Sequence, residues 1–139
     1  MEKTKQVREF LDQGRTLLSI GVYDALSARI MDQAGIPSVY VTGYGAAASL
    51  MGVPDIGLVS MSEMVSHVRR IAGAVNCPVI ADPDTGYGGS ANVYRTIREY
   101  EAAGACVIQL EDQTWPKRCG HMEGKRLVPV PEMENRVKV

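Results

Sequence analysis

Short apolar, β-branched runs alternate with longer amphipathic stretches along the chain. Leu17–Ile20, Ser38–Thr42, Pro78–Asp82 and Cys106–Glu111 are each too short for a helix and each is followed by glycine or acidic punctuation, so they read as four strands. Between them the apolar spacing switches to three and four. Asp24 caps a helix carrying Leu26, Ile30 and Ala34 at four-residue spacing, with Gly35 as its stop. Ser60-Met61-Ser62-Glu63 is a capping box, with Val59 and Met64 placed as a hydrophobic staple. The helix it opens carries Met64, Val65, Val68, Ile71, Ala72 and Val75 on one face and leaves His67, Arg69 and Arg70 to solvent. A third helix runs from Ala91 to Ala103, with Val93, Ile97 and Tyr100 inward and Gly104 beyond its end. Gln6–Gln13 reads as a lead-in helix, and Pro129-Val130-Pro131-Glu132 opens a further crossover helix that Val139 cuts short.

Strands alternating with helices of this length imply right-handed crossovers and a parallel sheet, an α/β architecture. Ligands of such folds gather at the C-terminal ends of the strands. Thr42, Asp82 and Glu111 stand at those ends, followed by the loops Gly43-Tyr44-Gly45, Asp84-Thr85-Gly86-Tyr87-Gly88-Gly89 and Asp112 through Lys125.

Composition narrows the picture. With 139 residues, 45% of them hydrophobic, the chain suffices for one domain with its own core. Fifteen basic against sixteen acidic residues give a net charge of -1, which argues against nucleic acid or an anionic membrane as partner. The charged opening Met1-Glu2-Lys3-Thr4-Lys5 is not a signal segment, and no apolar run approaches the roughly 20 residues of a membrane span, so a soluble, cytoplasmic protein is expected. Cys77, Cys106 and Cys119 form no CxxC pair; the first two lie in apolar runs and read as core.

The remaining polar residues carry the candidate chemistry. Asp82 and Asp84, two residues apart at a strand end, and Glu111 from the neighbouring strand offer hard oxygen donors with room for water, a set that suits Mg2+ or Mn2+. Asp55 reads either as a turn acid or as an outer carboxylate holding a metal's water. Lys117-Arg118-Cys119-Gly120-His121 reads either as a thiol among cations that favour its thiolate form, beside a glycine that admits close backbone approach, or as a polar surface loop that happens to carry a cysteine. His121 either orients a substrate carboxylate or is simply exposed, and Trp115 and Pro116 pack the base of a mobile loop. The glycines of Gly86–Gly89 lack the spacing of a phosphate or dinucleotide loop.

Together, Thr42-Gly43-Tyr44-Gly45, Pro54-Asp55-Ile56-Gly57, Asp82-Pro83-Asp84-Thr85-Gly86-Tyr87-Gly88 and Glu111-Asp112-Gln113 through Lys117-Arg118-Cys119-Gly120-His121 resemble the isocitrate lyase/phosphoenolpyruvate mutase superfamily. The cysteine loop is similar to that of its carbon–carbon lyases, which cleave methylisocitrate or dimethylmalate; the phosphonate-forming mutases generally carry asparagine where Cys119 stands. The resemblance implies a (β/α)8 barrel, of which residues 1–139 would form the N-terminal half, about four βα units against the roughly 250 residues of a full barrel. It implies Mg2+, with Mn2+ as a substitute, held by Asp82 and Asp84, with Asp55 and Glu111 on its waters. Thr42, Gly43 and Tyr44 would cradle the keto-acid carboxylate, Lys117, Gly120 and His121 would meet the substrate, and Cys119 would act as general acid and base. The expected reaction cleaves a 2-hydroxy di- or tricarboxylate to a 2-oxo acid and a carboxylate. Phosphonate mutase or oxaloacetate hydrolase chemistry is the alternative on the same scaffold. A different class of expectation is a non-catalytic half-barrel acting as an oligomerising or binding module. The family's tetramer implies a homo-oligomer, without the closing helix that subunits exchange.

Overall fold

A computed structural model describes residues 2–139; Met1, which opens the charged N-terminal stretch, lies outside them. Four parallel strands, β1 (Ile20–Val22), β2 (Val39–Val41), β3 (Val79–Ala81) and β4 (Val107–Ile108), lie side by side in chain order. Helix α1 (Glu2–Asp12) precedes them, α2 (Ala25–Gln33) joins β1 to β2, α3 (Gly43–Met51) and α4 (Met61–Ala74) both lie between β2 and β3, α5 (Ser90–Ala103) joins β3 to β4, and α6 (Val130–Lys138) follows. This is the parallel α/β sheet that the alternating pattern implied.

Register sets Gly21 beside Tyr40, Tyr40 beside Ile80 and Ile80 beside Val107, so these residues share one face of the sheet. Val22, Val39, Val41, Val79 and Ala81 occupy the opposite face and are buried with Met64, Val68, Ile71 and Tyr100 of the covering helices. Each large apolar side chain so buried contributes about 1.5–3 kcal/mol. The Ser60 capping box is formed: its hydroxyl accepts the Glu63 N–H at 3.4 Å while Glu63 Oε2 accepts the Ser60 N–H at 2.8 Å.

Several expectations are corrected. The first strand is Ile20–Val22, not Leu17–Ile20, because pairing with Val39–Val41 sets its register and local β-branched density does not. Gly43-Tyr44-Gly45 is the first turn of α3 and not a loop; the Thr42 cap and the alanines behind it outweigh the two glycines. On α2, Leu26 and Ile30 are 68% and 52% exposed while Ala28 is the buried residue, since the small side chain lets the helix lie close to its neighbours. His67 is buried, not solvent-facing, because α4 packs on α2 as well as on the sheet. Desolvation accordingly holds its imidazole below the ordinary histidine range. Cys77 and Cys106 are half-buried at the margin of the core instead of inside it.

Candidate active site

The polar residues at the strand ends are drawn together by backbone and side-chain hydrogen bonds. After β2, Thr42 Oγ1 accepts the Gly45 N–H at 2.6 Å and caps α3. A Cβ at Gly45 would stand 2.7 Å from that oxygen and 2.9 Å from Tyr23 Cβ, so only glycine permits this close turn. The start of α3 abuts the acids. A Cβ at Gly43 would stand 3.3 Å from both Asp82 Oδ2 and Asp84 Oδ1 and 3.6 Å from Lys117 Nζ.

After β3, the Asp84 N–H donates to Asp82 Oδ1 at 2.9 Å, which folds the two acids into a tight turn. Asp84 takes a left-handed backbone, φ 52°, a conformation aspartate tolerates better than most residues. The Glu111 N–H donates to the Asp84 carbonyl at 2.9 Å, bringing the end of β4 alongside. The Tyr40 hydroxyl donates to Asp82 Oδ2 at 3.1 Å and orients that carboxylate from the open face of the sheet.

Lys117 enters this cluster from the long loop. Its ammonium, fully buried, bridges Asp55 at 2.5 Å and Asp84. Burial works against the charge of Lys117, but Asp84 and Asp55 more than offset it and hold its pKa above the ordinary lysine value. For the acids, burial dominates. It raises Asp82 despite the Asp84 N–H and Lys117, raises Asp84 to about 6, and raises Glu111 to about 7 with repulsion from Asp82 adding to the effect.

The loop carrying the thiol is closed at its base, where the Thr114 N–H donates to the Arg126 carbonyl at 2.8 Å and the Val128 N–H to the Asp112 carbonyl at 2.9 Å. Trp115 lies over Gly57 at that base, as expected, while Lys125 Nζ donates to the Gly120 and Met122 carbonyls across the tip. Cys119 is 8% exposed. The cations beside it in sequence are turned elsewhere: Lys117 to Asp55 and Asp84, and Arg118 Nη1 to the Glu123 carbonyl. Direct activation of the thiol by those two side chains is therefore not the arrangement found. Lys117 likewise sits among the acids and not at an open substrate face. Tyr44, Gly120 and His121 are exposed and Thr42 is half-buried.

Asp55, Asp82, Asp84 and Glu111 share this region, yet among the described residues no three acidic, histidine or cysteine side chains converge closely enough to hold one ion as they stand. The donor chemistry nevertheless fits a hard divalent cation. Asp55, Asp82, Asp84 and Glu111 gather around a single ammonium, and burial raises the pKa of Asp82, Asp84 and Glu111, so a bound cation would offset the cost of their ionisation. Sequence reasoning had missed two participants. Tyr40 could have been found from its place between Val39 and Val41, which turns it to the opposite face; Gln113 carries no comparable local signal.

Residues 7–139 match the phosphoenolpyruvate phosphomutase family. The chain is 47% identical over 138 residues to the 2,3-dimethylmalate lyase of Eubacterium barkeri, covering 99% of this chain and 48% of that protein. It superposes on oxaloacetate acetylhydrolase in complex with 3,3-difluorooxalacetate with a TM-score of 0.92 and 40% identity, over 98% of this chain and 47% of the other. On phosphonopyruvate hydrolase in complex with oxalate and Mg2+ the TM-score is 0.87 at 36% identity, over 97% and 46% of the two chains. The chain thus spans about half the length of the curated relatives it matches, and its four-stranded sheet corresponds to about half of a TIM-type barrel.

Proposed function

The chain belongs to the phosphoenolpyruvate phosphomutase family, and on that footing we propose that the protein is a magnesium-dependent carbon–carbon lyase. Its substrate would be a 2-hydroxy di- or tricarboxylate of the dimethylmalate or methylisocitrate type, and its products a 2-oxo acid and a carboxylate. The observation that carries the reading is a buried thiol on a closed loop whose neighbouring lysine is anchored in an acid cluster at the strand ends.

Asp82 and Asp84 would hold the cation, with Asp55 and Glu111 around it. Magnesium, when bound, supplies Lewis-acid stabilisation of negative charge developing on the substrate oxygens. The chain's own groups do the rest. Thr42 Oγ1 accepts from Gly45 and keeps its hydroxyl proton to donate, so Thr42 and the first amides of α3 at Gly43 and Tyr44 suit a substrate carboxylate. Lys117 neutralises Asp55 and Asp84 and keeps the thiol loop seated. In cleavage the substrate hydroxyl passes its proton to a carboxylate of the acid cluster, its C–O bond becomes C=O, and the electron pair of the broken C–C bond passes to the departing fragment. The Cys119 thiol, itself buried, protonates that carbon in place of water.

Hydrolysis of oxaloacetate on the same scaffold is a second reading, favoured by the superposition on oxaloacetate acetylhydrolase. Product analysis on dimethylmalate, methylisocitrate, oxaloacetate and phosphonopyruvate separates the readings. Release of a 2-oxo acid from either of the first two supports the lyase, oxalate from oxaloacetate supports the second reading, and a phosphorus NMR change on phosphonopyruvate alone would remove both.

A further inference from the structure

Gln113 is buried, 6% exposed, and its carboxamide makes three hydrogen bonds, one to Glu111 and two to the Arg118 backbone. Nε2 donates to Glu111 Oε2 at 2.8 Å and to the Arg118 carbonyl at 2.8 Å, while Oε1 accepts the Arg118 N–H at 3.0 Å. One side chain therefore holds both backbone groups of the residue preceding Cys119, as a neighbouring strand would, and ties them to an acid of the cluster. Its own backbone is fixed as well. Gln113 pairs with Leu127 in an isolated antiparallel bridge, and its carbonyl accepts from the buried guanidinium of Arg136.

We propose that Gln113 is a positioning residue for Cys119: its carboxamide clamps the Arg118 peptide to Glu111 and so fixes the backbone that carries the thiol. The role rests on the reading of Cys119 as the reacting group, but the clamp itself does not depend on turnover. Only an amide of this length meets the pattern. Glutamate offers no donor to Glu111 or to the Arg118 carbonyl and places a second charge beside the first; leucine keeps the size and loses all three bonds. Lys117, one residue nearer the loop base, provides an independent ionic fastening, so loss of the clamp should free the thiol without releasing the whole loop.

Alkylation of the three cysteines by iodoacetamide, followed residue by residue by peptide mass spectrometry, tests this. In Gln113→Leu and Gln113→Glu, Cys119 should react about tenfold faster or more, as expected when a few net hydrogen bonds of a local closed state are lost. Cys77 and Cys106 should keep their rates. An unchanged Cys119 rate, a parallel rise at all three cysteines, or a Gln113→Glu protein protected like the parent would each overturn the proposal. Because no substrate is used, failure here is distinct from failure of the lyase reading, which product release alone decides.

Discussion

Lys117 is the residue on which the electrostatics of the site turn. Without it, Asp55 and Asp84 would be buried beside Asp82 and Glu111 with no cation. Replacing it by methionine should cost about 3–5 kcal/mol, the usual range when one partner of a buried ion pair is removed, and added Mg2+ or Mn2+ should recover part of that loss. Thermal unfolding of Lys117→Met with and without the cation measures both effects; equal stability to the parent would contradict the role given to Lys117. The acids themselves were legible in the sequence, because Asp82, Asp84 and Glu111 stand where strand patterns end. The partnership of Lys117 with Asp55 was not, since it links segments far apart in the chain and depends on how the loop folds back. The sequence placed Lys117 and Arg118 beside the thiol by adjacency alone, and adjacency does not fix side-chain direction.

At the scale of elements, the α3 start shows how local signals compete. Two glycines suggested a loop, whereas a capping threonine and a run of alanines produced a helix whose first turn meets the acids. Thr42→Val should destabilise the protein by about 1 kcal/mol through loss of the cap, and Thr42→Ser should restore most of it. Gly45→Ala should be the more damaging change, by about 1–3 kcal/mol, because its methyl would collide with Thr42 Oγ1 and Tyr23 Cβ. Denaturant midpoints of the three variants order them; a neutral Gly45→Ala would mean the turn relaxes freely. Helix α4 was legible down to its capping box and buried face, since each lies within one continuous periodic segment. His67 and the buried side of α2 were not, because which second face is covered depends on how α2 and α4 meet.

For the molecule as a whole, the acid cluster sets a pH dependence with a definite sign. Asp84 and Glu111 titrate near 6 and 7 when folded, against ordinary values of 3.8 and 4.5. The folded chain therefore retains protons that the unfolded chain has already released, and this contribution to stability is present below about pH 4 and lost as pH rises through 6 and 7. Urea midpoints should fall from about pH 5 to about pH 8, with the slope reduced in Glu111→Gln. Divalent cation binding should tighten over the same interval as it displaces those protons. A cation affinity independent of pH would argue against the carboxylates as its ligands.

The most direct test of the lyase account is release of 2-oxo acid from 2,3-dimethylmalate and 2-methylisocitrate with and without Mg2+, beside Cys119→Ala as the control. The account expects release that requires the cation and is lost with the thiol. Release that persists in Cys119→Ala, or that is indifferent to Mg2+, would contradict it.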